Sequence, residues 1–214
     1  MIEASQNAQK QESKYPLNPE EAVWVSQAQR GDRVAFTRIV EAYQRPVYNV
    51  CYRMLGNAVE AEDAAQEVFV RAFFKLETYD PERKFSSWLF SIASHYAIDL
   101  LRKRRIQVIS WDDLPPWRWL PSDDSPQPEE AMLEAEAAQE VHALLDALPG
   151  DYRAAVVLKY WHNMPYEEIA QTLNTTVSAI KSKLFRARKM LAKAAQKEQE
   201  ATRVSGRIAL ASAK

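Results

Sequence analysis

The side chains in this sequence that are best placed to do chemistry are cations set in rows. Lys181, Lys183, Arg186, Arg188, Lys189 and Lys193 fall between Val177 and Lys193 with no acidic residue among them. A helix that is merely solvated mixes signs, whereas a row of one sign suits phosphate groups. A second run, Arg102 to Arg105, closes another apolar-periodic stretch. Alone it is ambiguous, because cations at a helix C-terminus also complement the macrodipole. Other chemistry is missing from the pattern. There is no Gly-rich phosphate loop, and Cys51, His95, His142 and His162 never stand at metal-ligand spacing, so neither a metal nor a cofactor is expected. Glu167 and Glu168 are neighbours on a helix and diverge by about 100°, too far apart in direction to act as a catalytic pair. The chemistry on offer is binding, and no enzyme is expected.

The cationic row needs a scaffold to aim it. Residues 166–191 have the layout of a helix-turn-helix. Ile169 and Leu173 face inward from a first helix, and Ala170 is small enough for a second helix to pass closely. Asn174 stands where the turn requires a left-handed residue, a conformation that Asn tolerates. Val177, Ile180, Leu184 and Leu191 anchor the second helix and leave the cations outside. Ahead of this lie a short helix containing Leu144, Leu145 and Leu148, a break at Pro149-Gly150, and a helix with Ala154, Ala155, Val157, Leu158 and Trp161 apolar.

The N-terminal half is helical as well. Phe36, Ile39, Val40 and Tyr43 make one stripe, Pro46 is expected to restart the helix, and Val47, Val50, Cys51, Met54 and Leu55 continue to a C-cap at Gly56-Asn57. Ala65, Val68, Phe69, Ala72 and Leu76 form the next stripe, which puts Asp63, Gln66 and Glu67 together on another face. A loop containing Asp80-Pro81, Arg83 and Lys84 follows. In the helix after it, Ser86 or Ser87 is expected as N-cap and Trp88, Leu89, Ile92, Ala93, Tyr96 and Leu100 as core. Ser91, His95, Asp99 and Arg102 lie outward, and the helix is expected to end at the cation run.

Four glycines and no strong period-2 run imply an all-α protein. Its expected plan is two small helical domains joined by an acidic Pro-rich linker. The boundaries are a disordered leader over 1–18, a first domain over 19–106, the linker over 107–139, a helix-turn-helix domain over 140–193 and a frayed tail over 194–214. The net charge of -1 says nothing about nucleic acid, so the distribution of charge has to carry that reading. From Gln107 to Glu140 nine acids stand against Arg118 alone, with prolines at 115, 116, 121, 126 and 128. Such a segment reads as a solvated tether. Trp111, Trp117 and Trp119 are unusual in a tether and imply that it settles on something. One cysteine excludes an internal disulfide, and no signal peptide or apolar membrane span is present, which points to the cytoplasm.

Asp63-x-x-Gln66-Glu67-x-Phe69, followed by Phe85-x-x-Trp88-Leu89-x-x-Ile92-Ala93, resembles regions 2.2 to 2.4 of the extracytoplasmic-function (ECF) sigma factors of bacterial RNA polymerase. The Gly31-Asp32-x-x-Ala35-Phe36 opening resembles region 2.1, and residues 140–193 resemble region 4. The resemblance implies a subunit that binds core polymerase at the β′ clamp and β flap, recognises promoter DNA and answers to an anti-sigma factor. It assigns Asp63, Gln66 and Glu67 to the clamp. Arg83, Lys84, Ser91, His95, Arg102 and Lys103 fall to the -10 element, and Lys181, Ser182, Lys183, Phe185, Arg186 and Arg188 to the -35 element. At His95 relatives often carry Asn. The implied linker path is the polymerase's RNA channel. On the residues alone two other readings stay open: a stand-alone helix-turn-helix regulator, and a sigma mimic that binds an anti-sigma factor and never DNA.

Overall fold

A computed structural model describes residues 19–110, 139 and 141–212 of the chain. The leader and most of the acidic linker, including Trp111, Trp117 and Trp119, lie outside the described residues. Among the described residues the regular structure is helical, with no strand. The elements are α1 (Pro19–Gln29), α2 (Arg33–Leu55), α3 (Ala58–Lys75), a single 3-10 turn (Leu76–Thr78), α4 (Phe85–Ser110), α5 (141–146), α6 (Gly150–Tyr160), α7 (Tyr166–Thr172) and α8 (Val177–Ser212).

Local chemistry sets the joints. Gly31 takes a left-handed φ of 91°, and Asp32 caps α2 by accepting from the backbone of Val34 and Ala35, which folds α1 back against α2. Gly56, at φ 75°, ends α2, and Asn57 then caps α3 through the Glu60 N–H. Pro46 does not restart a helix; α2 runs through it. The proline removes the hydrogen bond to the carbonyl of Ala42, which lies on the exposed side. Tyr43 and Val47 on either side are buried and hold the register, and the Tyr43 hydroxyl donates to Glu21 at 2.6 Å.

The end of α4 also differs from expectation. It continues to Ser110, so the cation run lies inside the helix and complements no C-terminus. Arg104 turns inward to the carbonyl of Leu55 (3.1 Å) and to Glu60, which ties α4 to the α2–α3 joint. Ser86 and Ser87 are not caps. They sit buried in the first turn of a helix that begins at Phe85. Helix α8 continues past the cation row to Ser212.

The two helical domains share one core. Helices α6 and α7 pack on α4, and α6 also packs on α2. This explains why the buried apolar positions of α4 are Phe85, Leu89, Phe90, Ala93, Ala97 and Ile98, whereas Trp88, Ile92, Tyr96 and Leu100 are only partly buried. The ring of Phe90 meets that of His162 at 4.6 Å, and Arg53 lies over Trp161 at 5.0 Å. Arg153, 4% exposed, is the polar tie of the joint. Its guanidinium donates to the carbonyls of Met54 (2.6 Å) and Leu148 (3.4 Å) and pairs with Asp146 at 2.8 Å.

His142 packs edge-on to Tyr52 across the same joint, with ring centroids 4.4 Å apart. Burial pushes its pKa below the ordinary histidine value; Arg53 and Arg153 add to the shift and Asp146 opposes it. A folded-state pKa below the unfolded one means that the stability this group contributes is present above the ordinary histidine range. That stability is lost as pH falls through the depressed value. Urea unfolding of the whole chain from about pH 7.5 down to about pH 5 should therefore show a falling midpoint, and His142→Phe should flatten that slope. An equally steep slope in the variant would show that the acid sensitivity lies elsewhere.

Candidate polymerase and promoter surfaces

Three surfaces carry the residues singled out in the sequence. On α3, Asp63 and Gln66 are exposed on one face, as the periodicity requires. Glu67 stands beside them but is half-exposed and pairs with Arg71 at 2.7 Å, whose guanidinium lies 4.3 Å over the Tyr96 ring. The polar face is flanked by apolar side chains that sequence reasoning passed over. Val59 and Val70 are exposed, Phe73 is 44% exposed with its edge on Phe36, and Phe74 is 78% exposed. Their signal was available, since Val59, Asp63, Gln66, Val70 and Phe73 recur at four- and three-residue steps. Two exposed phenylalanines beside a carboxylate and an amide make a surface suited to a partner protein.

The second surface begins in the connection between α3 and α4, which is a shaped turn. Asp80 accepts from the Glu82 N–H and, through its carbonyl, from Arg83; the Tyr79 hydroxyl donates to the Arg83 carbonyl. Arg83 is exposed, but Lys84 is half-buried and pairs with Glu168 of α7 at 3.3 Å. Ser87 donates to the same carboxylate. Along α4, Ser91 donates to the carbonyl of Trp88 at 2.7 Å, and Nδ1 of His95 lies 2.7 Å from the carbonyl of Ser91. A carbonyl only accepts, so Nδ1 carries the hydrogen, and a neutral His95 presents Nε2 outward as an acceptor. Further along, Arg102 and Lys103 are exposed, and Arg102 pairs loosely with Asp99 at 3.4 Å. With Arg71, Tyr96 and Leu100 they line a cleft of about 240 Å³, which adds Arg71 to the cations read from the sequence.

The third surface is the helix-turn-helix. Asn174 has φ 49°, and the Thr175 N–H returns to the carbonyl of Ala170 at 2.8 Å, the close approach that a small residue permits. Thr176 caps α8 by accepting from Ala179. Lys181, Ser182, Phe185, Arg186 and Arg188 are exposed along α8, and Lys189 lies 4.7 Å over the Phe185 ring. Lys183 departs from the free cation that the sequence suggested. Its ammonium pairs with Asp151 at the start of α6, 2.7 Å away. Acidic residues are absent from Val177 to Lys193 of α8 but not across from it, which a one-dimensional charge count cannot see. Among the described residues no metal-ligand cluster occurs, and no helix is long and apolar enough to cross a membrane.

The Sigma-70 region 2 family model matches residues 39–106, and the Sigma-70, region 4 model matches residues 138–191. The chain is 37% identical over 175 residues to the ECF RNA polymerase sigma factor SigW of Bacillus subtilis, covering 79% of this chain and 93% of that protein. It belongs to the ECF sigma factors. The RNA polymerase sigma-H factor of Pseudomonas aeruginosa is 33% identical over 180 residues, covering 80% and 92% of the two chains. Among solved structures, CnrH in complex with the cytosolic domain of CnrY is 25% identical with a TM-score of 0.61, over 81% of this chain and 96% of that one. The sigma factor RpoE in complex with the anti-sigma factor NepR from Bartonella quintana shares the fold, with a TM-score of 0.57, 21% identity, and 75% and 96% covered. As an ECF sigma factor the chain binds core RNA polymerase and promoter DNA and directs the initiation of transcription. Membership removes the alternatives of a stand-alone regulator and a mimic.

The geometry adds one property of this sigma factor that the family name does not contain. Glu168, 8% exposed, holds Lys84 and Ser87 from the opposite domain. A hydrogen bond to a buried carboxylate contributes about 1.5–3 kcal/mol, so Glu168→Ala should loosen the domain contact without unfolding either part. A dye pair on Val59→Cys and Lys193→Cys would report this. Cys51 stays unlabelled, because it is buried and its thiol pKa is pushed up to about 12. Lower energy transfer is expected in the Glu168 variant, and unchanged transfer would show that the apolar contact alone holds the domains together.

Proposed function

We propose that this sigma factor divides promoter recognition between two readers that the fold keeps on separate elements. Helix α8 enters the major groove at the -35 element, with Arg186 reading a base edge and Lys181 and Arg188 on phosphates, while Ser182 and Phe185 complete the contact surface. The turn at 77–84 and the outer face of α4 take the melted -10 strand. Arg83 and Lys84 draw in the backbone, His95 and Ser91 face the bases, and Arg102 and Lys103 with Arg71 hold the next phosphates. The observation that carries this reading is the exposed cationic row with Phe185 on a helix whose turn, cap and close approach all have helix-turn-helix geometry. Asp63, Gln66 and Glu67, together with Val70, Phe73 and Phe74, form the face for the polymerase clamp. The first domain spans 19–106 and continues into the rest of α4. The acidic linker begins after α4, and the -35 reader of 140–193 carries the C-terminal extension of α8. The protein performs no catalysis of its own and works in the cytoplasm, beside polymerase and DNA. An anti-sigma factor is its further partner.

Reading both elements at once requires the domains to part. Helix α7 lies directly against α4, about one helix diameter of roughly 10 Å away. The two promoter elements lie on the order of two turns of DNA apart, roughly 70 Å. Promoter phosphates would then replace Glu168 at Lys84 and Asp151 at Lys183.

Run-off transcription with core polymerase on genomic fragments tests the whole reading, and two sets of variants test its parts. Arg186→Ala should lose about 1–3 kcal/mol and relax preference at one -35 position, whereas Arg188→Ala should weaken all sequences evenly and lower the salt slope by about one. Equal losses for Arg186→Ala on matched and scrambled -35 elements would contradict its role. Replacing Asp63, Gln66 and Glu67 by Ala should leave helicity intact and abolish core binding. Native affinity for core in that protein would remove α3 as the docking face.

A further inference from the structure

Helix α1 lies outside the region matched to the family, which begins at residue 39, yet it reaches the turn that precedes α4. The contact is made by Gln29, the last residue of α1. Its side-chain amide donates to two carbonyls at once, Leu76 at 3.0 Å and Tyr79 at 3.3 Å. These carbonyls stand at the two ends of the single 3-10 turn, which is also closed by the Tyr79 N–H on Leu76. Beyond it, the Tyr79 hydroxyl donates to the carbonyl of Arg83, and the carbonyl of Asp80 accepts from the Arg83 N–H. The carbonyls of Leu76, Tyr79, Asp80, Arg83 and Lys84 therefore all have donors; Leu76 accepts from both Gln29 and the Tyr79 N–H, and Tyr79 accepts from Gln29.

The other end of this network is equally fixed. The ring of Tyr79 packs on Phe85 and Trp88 with centroids 5.3 and 5.4 Å away. Burial raises the pKa of its hydroxyl to about 12, with Glu21 and Asp80 adding to the shift, so the phenol remains a donor at neutral pH. The corner at Gly31 and Asp32 folds α1 back on α2 and so aims Gln29 at the turn.

We propose that Gln29 is a positioning residue for -10 recognition, acting with Tyr79 to hold the backbone of the 77–84 turn in one shape before DNA arrives. The inference rests on the reading of that turn as the -10 reader. A rigid loop gains affinity only from the sequence that fits it, whereas a loose loop rearranges around mismatched bases and discriminates less. Neither Gln29 nor Tyr79 has to touch DNA for this.

The test uses the full chain with core polymerase and a promoter pool that keeps one -35 element and is randomised at -10, with transcripts counted by sequencing. Gln29→Leu keeps the bulk and removes the donors. Gln29→Glu keeps the shape and sets an acceptor against two carbonyls. Tyr79→Phe keeps the ring stack and removes only the hydroxyl. Each is expected to lower the ratio of best to singly mismatched -10 transcription about three- to tenfold, the scale of one or two hydrogen bonds, with Gln29→Glu the most affected. Preference at -35 and affinity for core should stay at the native level. If all three variants keep the native ratio, or lose matched and mismatched transcription equally, the proposal is overturned, because Gln29 then only supports the fold. Exchanging residues 80–84 for those of a relative with a different -10 element, which leaves Gln29 and Tyr79 in place, separates the two levels. Should that protein also keep the parental -10 preference, the turn is not the reader and both readings fall; should it change while the Gln29 variants do not, only the role of Gln29 falls.

Discussion

Helix α4 is buried from two sides, and the arrangement of the remaining helices follows from that. One side completes the core of α2 and α3, where Phe85 meets Tyr43; another receives α6 and α7, with Ile98 beside Gly150, and Phe90 reaches both Tyr43 and His162. Each part taken alone is a small helical domain with a modest core, and small domains bury proportionately less surface. Sharing α4 joins the two cores, and it explains why Phe90 and Ser94 are sealed from solvent in a helix whose simple amphipathic reading places them off the core face.

The shared core has an electrostatic consequence. The chain is nearly neutral, with 28 basic and 29 acidic residues, so the cations offered to nucleic acid are balanced within the same molecule. Part of that balance is local. Glu168 holds Lys84 and Ser87, and Asp151 holds Lys183. Carboxylates thus take positions beside cations that the proposed reading gives to promoter phosphate. Lys181, Arg186 and Arg188 remain exposed, and in the proposed reading this lets α8 meet DNA first. A steering row that stays free while a second set of cations is internally paired favours a sequential encounter.

Order in the turn before α4 has a different origin. Its backbone contains few apolar side chains to fix it, and hydrogen bonds from Gln29 and Tyr79 take their place. The donors come from residues nearly 50 positions apart in the chain, brought together by the left-handed glycine at 31 and the Asp32 cap. A turn of this construction is pre-shaped by its scaffold, which is the condition for a recognition loop to be selective.

The sequence by itself determined whatever depends on near neighbours along the chain. The periods of α2, α3 and α8, the cap at Gly56, the left-handed Asn174 and the outward Asp63, Gln66 and Arg186 are all set within a few residues, because helical geometry and φ restrictions act at that range. The continuous course of α2 through Pro46 was not legible, since a proline's local cost is offset there by the burial of Tyr43 and Val47. Nor was the length of α4, whose cation run falls inside the helix. The tertiary structure alone decided which polar groups face each other. Glu168 is an ordinary helix carboxylate until α7 docks on α4, Arg153 looks solvated until it meets the carbonyl of Met54, and Gln29 has no visible task until the turn at Leu76 and Tyr79 reaches it. Pairings across roughly 50 to 100 residues leave no periodic trace, because a hydrogen bond fixes only the final positions of two atoms and puts no constraint on the spacing of the residues that carry them.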